Sequence, residues 1–135
     1  MNSLAHIEIN VADLEETKIF YDIFLTPLWR KISSVSGSSI GYKAPDKTHI
    51  FFVQVDEKYT DTDFHRKHIG LNHLAFRVDS IDAVDEMASY LDSKNISLLY
   101  ADRSRDYADE YGMDEYHAIF CEDPDRIKVE IVYCK

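Results

Sequence analysis

Glycine and proline are scarce in this 135-residue chain, at four and three residues. That leaves no room for a long flexible linker or a low-complexity segment. Cysteine is scarcer still. Cys121 and Cys134 form no CxxC pair, so neither a zinc ribbon nor a disulfide scaffold is in prospect, and both are read as reduced thiols of a cytoplasmic protein. Positive charge is in deficit, with 15 Lys and Arg against 25 Asp and Glu and a net charge of −10. Such a surface repels phosphate backbones and argues against a nucleic-acid partner. No apolar run approaches the roughly 20 residues needed to span a bilayer, and the opening MNSLAHIEIN lacks the basic start and apolar stretch of a signal peptide, so no membrane partner is expected.

What is present is core-forming material. Apolar residues make up 45% of the chain and aromatics 13%, enough for a packed domain and too much for disorder. The chain also repeats itself. Leu4-Ala-His-Ile-Glu-Ile-Asn-Val11 aligns with Leu71-Asn-His-Leu-Ala-Phe-Arg-Val78 at an offset of 67, and the match runs on through Leu14 with Ile81, Phe20 with Met87 and Phe24 with Leu91. A second echo has an offset of 79. Pro45-Asp-Lys47 precedes the apolar run Ile50 to Val55, as Pro124-Asp-Arg126 precedes Ile127 to Tyr133.

Each half therefore reads as strand, helix and three further strands. The opening strands are expected at about 4–11 and 71–78, and the helices at about 14–25 and 81–93. Asp13 with Glu16 forms a capping pair for the first helix, and Ser80 caps the second. The remaining strands are expected near 28–35, 38–44 and 49–55, then 96–101, 116–122 and 127–133, with a short hairpin around 33–39. The fold class is α+β, two βαβββ modules in tandem with curled mixed sheets. Module 1 covers about 1–56, a polar linker 57–70 and module 2 about 71–135. The linker ends in the basic patch Phe64-His-Arg-Lys-His-Ile-Gly70, a solvated face or the border of an anionic substrate.

Strand parity locates the chemistry, because side chains at i, i+2 and i+4 share a face. Ile7, Ile9 and Val11 form one apolar face, Leu74, Phe76 and Val78 another, and Ile127, Val129, Ile131 and Tyr133 a third. His6, His73 and Glu130 leave the opposite faces, the ones helices do not cover. If the sheet curls, these three converge on a concave interior. Two imidazoles and a carboxylate would make a facial triad for one divalent metal, with positions left open for substrate. Singly, each is more ordinarily a surface or hydrogen-bonded residue. The matched repeat positions of the two histidines argue for the joint reading.

His6-Ile-Glu-Ile-Asn-Val-Ala-Asp-Leu14 with Phe20-Tyr21, then Gly70-Leu-Asn-His-Leu-Ala-Phe-Arg-Val78, then Glu122-Asp-Pro-Asp-Arg-Ile-Lys-Val-Glu-Ile131, together resemble the glyoxalase, bleomycin-resistance and extradiol dioxygenase superfamily, the vicinal oxygen chelate proteins. The resemblance spans nearly the whole chain. It implies paired βαβββ modules around a metal cavity, a divalent ion (Fe, Mn, Zn, Ni or Co) held by His6, His73 and Glu130, a small substrate that chelates through vicinal oxygens, and a homodimer. Glyoxalase I-like members carry a fourth ligand on the last strand of the first half. The 79-residue offset puts Phe51 there, Gln54 has the wrong parity and His49 lies two residues off, which favours a three-ligand site.

Further candidates follow. Glu130 and His117 are expected as catalytic residues; on the cavity face His117 could donate a proton or steady a bound oxygen, and otherwise it is a surface histidine. Arg77, Arg103 and Tyr116 are expected to bind substrate. The last two belong to the long segment from Asp102 to Glu115 and its border, read with Tyr100, Arg105, Tyr107 and Tyr111 as a surface loop with packed aromatics or as a mobile rim that orients an anionic or aromatic substrate. Two functions compete: a metal-dependent lyase or dioxygenase, and a metal-free protein of the bleomycin-resistance type that sequesters a drug or toxin. A sequestering pocket has no need of His6, His73 and Glu130 together.

Overall fold

The computed structural model describes residues 4–32, 37–101 and 103–135. It divides into two units, 1–63 and 64–135, with the boundary inside the expected linker. The end of that linker belongs to the second unit, where Arg66 is ion-paired to Glu122.

The first unit contains β1 (His6–Val11), α1 (Leu14–Phe24), β2 (Arg30–Ile32), β3 (Ser39–Lys43) and β4 (His49–Gln54), followed by a 3-10 turn at Glu57–Tyr59. The second contains β5 (His73–Arg77), α2 (Ile81–Ser93), β6 (Arg105–Asp106), α3 (Ala108–Tyr111), β7 (Tyr116–Glu122) and β8 (Lys128–Cys134). Each unit has a four-stranded mixed sheet, in the orders β1-β4-β3-β2 and β5-β8-β7-β6. The opening strand runs parallel to the last, and the others pair antiparallel. Neither sheet closes on itself. The two βαβββ modules expected from the repeat are thus present with one topology.

Local chemistry starts both helices where expected. Asp13 accepts from the backbone N–H groups of Glu15 and Glu16 at 2.9 and 3.0 Å, and Ser80 accepts from that of Ala83 at 3.1 Å. Gln54 is no stray ligand. Its side chain accepts from the N–H of Leu14 and donates to the carbonyl of Ala12, fixing the strand-to-helix turn.

In the first unit α1 lies over β3 and β4, where the Tyr21 ring stacks on Phe52 at 4.0 Å and Tyr42 donates to Asp22 at 2.8 Å. The edge strand β1 is less well covered, so Ile7 and Ile9 are only half-buried and Val11 alone of its apolar face is fully inside. In the second unit α2 covers β7 and β8, and Leu74, Phe76, Val129 and Ile131 are buried beneath or beside it.

Three expected elements differ. No strand forms over 96–101, because Asn95 and Tyr100 take left-handed backbone conformations (φ 59° and 69°) that break an extended run. Leu99 makes a single bridge to Phe120. The third strand of that module is instead the short β6, followed by α3. The strand expected at 28–35 is limited to 30–32 among the described residues, and most of the hairpin proposed around 33–39 lies outside them. Among the described residues no helix is long and apolar enough to cross a membrane.

One glycine is required by close approach. Gly41 is the register partner of Phe51, and a Cβ at Gly41 would stand 2.7 Å from two atoms of the Phe51 ring. Gly41→Ala should therefore destabilise the chain by about 1–3 kcal/mol, and combining it with Phe51→Leu should recover most of the loss. Thermal unfolding checks this, and a single variant as stable as the parent would show that the ring does not lie across this glycine.

Candidate metal centre

β5 and β8 run parallel with Ala75 opposite Glu130 and His73 opposite Lys128. Register partners share a face, and β7 brings Phe120 opposite Glu130. The face turned from α2 therefore carries His73, Ala75 and Arg77 on β5, Lys128, Glu130 and Val132 on β8, and Tyr116, Ala118 and Phe120 on β7. The segment between α2 and β7 folds over part of it. Tyr107, Tyr116, Ala118, Phe120 and Val132 form a buried cluster, and Tyr111 stacks on Tyr116 at 4.2 Å.

Glu130 sits in that setting with no exposed surface. Its Oε1 accepts a hydrogen bond from the Tyr116 hydroxyl at 2.7 Å. Its Oε2 receives none, although His73 Nε2 is only 3.1 Å away. The His73 ring explains this. Nδ1 lies 2.7 Å from the side-chain oxygen of Asn72, an acceptor, which favours the neutral tautomer with the proton on Nδ1 and a bare lone pair on Nε2. Burial, aided by the Lys128 charge, lowers the His73 pKa and keeps the imidazole neutral. Burial also raises the Glu130 pKa, partly offset by the Tyr116 hydrogen bond and by Lys128.

Two acceptor atoms thus face each other in a desolvated place, and a buried, unsatisfied carboxylate oxygen is costly. A cation resolves the conflict. Donors about 2.1 Å from a common ion stand roughly 3.0–3.4 Å apart in octahedral or tetrahedral geometry, and the observed separation is 3.1 Å. A ligating histidine also needs its other nitrogen held, as Asn72 holds Nδ1. His73 and Glu130 therefore fit as two ligands of a divalent metal.

His6 belongs to the first unit. It is exposed at the start of β1, on the face turned from α1, with its ring edge-on to Phe51 at 6.1 Å. Glu8 is opposite Phe51 in the first unit as Ala75 is opposite Glu130 in the second, so Phe51 occupies the position equivalent to Glu130 and offers no ligand. Within neither unit, among the described residues, do three His, Cys, Asp or Glu side chains gather as a ready-made site.

The other candidates sort cleanly. Tyr116 stands beside Glu130 and donates its hydroxyl to the carboxylate. Arg77 shares the face of His73, with one guanidinium N–H on the carbonyl of Cys134 at 3.2 Å. Arg103 is exposed in the loop before β6. The cavity-face reading of His117 is corrected. It pairs with Tyr133 and so leaves β7 on the α2 side, with Asp106 Oδ2 3.8 Å from its Nε2. The long segment has packed aromatics. Tyr107 is buried, its N–H donates to the Tyr116 carbonyl at 2.6 Å, and Ser104 bonds to Asp85. Sequence reading missed Asn72 and Lys128. Asn72 was legible as the polar neighbour of a candidate ligand, and Lys128 as the residue two before Glu130 on one strand face. Burial pushes the Cys121 thiol up to about 12, which removes it as a nucleophile.

The buried carboxylate has a consequence for stability. Burial raises the Glu130 pKa above its unfolded value, so ionisation costs native stability as pH rises from the unfolded pKa through the folded one. Below the unfolded pKa both states are protonated and the cost vanishes. In metal-free protein, Glu130→Gln should raise Tm at about pH 7.5, and the gain should fade towards about pH 4. A variant less stable than the parent at the higher pH would mean that the carboxylate is already satisfied without a cation.

Comparison with known proteins agrees with this architecture. The family model described as the Glyoxalase/Bleomycin resistance protein/Dioxygenase superfamily matches residues 3–131. The Bacillus subtilis protein YqjT, described as uncharacterized, is 42% identical over 127 residues, covering 94% of this chain and 95% of its own. A Bacillus halodurans crystal structure, described provisionally as a glyoxalase, is 41% identical with a TM-score of 0.78, covering 96% of this chain and 93% of its own. The genomically encoded fosfomycin resistance protein FosX of Listeria monocytogenes shares the fold at 21% identity, with a TM-score of 0.71 and coverage of 100% and 94%. The chain belongs to the Glyoxalase/Bleomycin resistance protein/Dioxygenase superfamily.

Proposed function

We propose that this chain is a metal-dependent enzyme of the lyase or dioxygenase kind, acting on a small substrate that presents two vicinal oxygens. The observation that carries the reading is the approach of His73 Nε2 to Glu130 Oε2 at 3.1 Å, with Oε2 buried and without a hydrogen-bond partner. The proposal gives the third coordination position to His6, the counterpart of His73 in the repeat. A divalent ion there would stabilise negative charge developing on substrate oxygens.

The chain's own residues set the terms of that chemistry. Tyr116 fixes one carboxylate oxygen of Glu130, so only Oε2 is available to ligand or proton. Burial makes Glu130 a stronger base than an exposed carboxylate, as suits a group that takes a proton from substrate. Lys128 packs its ammonium over Phe120 at 5.1 Å and limits that rise. Tyr107, Tyr116 and Phe120 form a buried cluster on the carboxylate's face of the sheet. Arg77 and Arg103 remain proposed substrate contacts. Two free cysteines suit a cytoplasmic location, and a homodimer is proposed to pair exposed strand edges.

The test is metal binding by tag-free protein, followed by calorimetry with Mn²⁺ and Zn²⁺. The parent should bind one ion per chain, and His73→Ala should lose most of that affinity while its circular dichroism is unchanged. Asn72→Ala should weaken binding about tenfold by releasing the ring. Retention of parental affinity by His73→Ala would remove the metal reading and leave a sequestering protein in its place. In light scattering the chain should run at twice its monomer mass, and a monomer at micromolar concentration would refute the dimer.

A further inference from the structure

The first sheet carries a row of basic side chains that the metal reading does not use. His6 is the register partner of His49, His49 of Lys43, and Lys43 of Arg30. The row crosses all four strands on the face turned from α1, since Tyr42, Ile50 and Phe52 take the other face. The corresponding row of the second sheet is His73, Lys128 and Glu122. There Glu122 stands where Lys43 stands in the first, and it is ion-paired to Arg66 and lies 3.7 Å from Arg126. The second row thus sets one carboxylate beside its one lysine. The first carries two fixed cations, and among the described residues neither Arg30 nor Lys43 has an ion pair or hydrogen-bonded side-chain partner.

An open cleft of about 350 Å³ lies at this end of the row, lined by Leu28, Arg30, Lys43, Ala44 and Pro45. No carboxylate lines it. Asp46, next along the chain, keeps its charge but accepts from the Thr48 N–H at 2.9 Å and forms no ion pair with either cation. Glu8, on the same face, is opposite Phe51 rather than Lys43. Lys31 leaves β2 on the other face, where it pairs with Asp22 at 2.6 Å. In a chain of net charge −10, two neighbouring cations without an ion-pair partner beside an open cleft that also presents Leu28, Ala44 and Pro45 make a site for an anion.

We propose that Arg30 and Lys43 form a binding site for the oxyanion group of a small molecule, with its apolar part against Leu28, Ala44 and Pro45. An arginine fork and a lysine point charge together suit a multiply charged oxygen group such as phosphate. Two strand spacings, about 10 Å, separate Lys43 from His6 along the row, so the site is distinct from the proposed ligands and needs no metal.

Inorganic phosphate is the probe, titrated into the ¹⁵N-labelled full chain after passage over a chelating resin, at constant ionic strength. Amide shifts should concentrate at 28–30 and 43–44 with saturation in the millimolar range, and Arg30→Ala and Lys43→Ala should each weaken binding roughly tenfold. Lys58→Ala, in the exposed 3-10 turn, should bind as the parent does. Because no metal is present, failure of the metal reading leaves this result intact. Shifts centred elsewhere, no saturation, or parental affinity in both cleft variants would overturn the proposal.

Discussion

The second unit is organised around one unresolved polar contact. Glu130 is wholly buried, and only one of its two oxygens is satisfied by the protein. The other faces the lone pair of a neutral histidine whose proton is committed to Asn72. A bound cation would relieve it, as would a proton on Glu130 itself or compensation from the surrounding core. The surroundings are built for the first. Tyr116 pins the carboxylate, Tyr111 stacks behind Tyr116, and Lys128 lends a charge without reaching in to form an ion pair.

The two units show how one scaffold carries different chemistry. Their topologies and register offsets coincide, yet the paired positions at the sheet centre are exchanged. In the second unit a phenylalanine on β7 faces the carboxylate on β8. In the first, Gly41 on β3 faces Phe51 on β4, and the glycine makes room for the ring. One sheet face holds a desolvated ligand pair, and the other holds an aromatic plate bordered by a basic row. A duplicated module can diverge in this way because the helix-covered face bears the packing constraint and the opposite face does not.

Much of this was legible in the sequence. The 67- and 79-residue offsets fixed which residues correspond, and strand pairing matches them: Phe51 stands where Glu130 does, and His49 and Lys128 take equivalent positions. Alternation placed His73 and Glu130 on one face because their strands are apolar on the other. His117 resisted the same logic. β7 is apolar on both faces, so Tyr116-His-Ala-Ile-Phe has no internal parity signal, and only the antiparallel register with β8 shows which way the histidine turns. The apolar stretch after α2 misled for a different reason. Left-handed backbone at Asn95 and Tyr100 interrupts it, which apolar patterning does not reveal. The basic row in the first sheet is invisible to any reading of single strands, because it exists only across four of them.

The tautomer of His73 bears most directly on the account. Long-range ¹H–¹⁵N spectra of the imidazole nitrogens, recorded on metal-free protein near neutral pH, report it without reference to activity. The account predicts a neutral ring with the proton on Nδ1 and a bare Nε2, whose resonance moves on addition of one equivalent of a diamagnetic divalent ion such as Zn²⁺. A ring protonated on Nε2 and donating to Glu130, with a resonance indifferent to the ion, would contradict it.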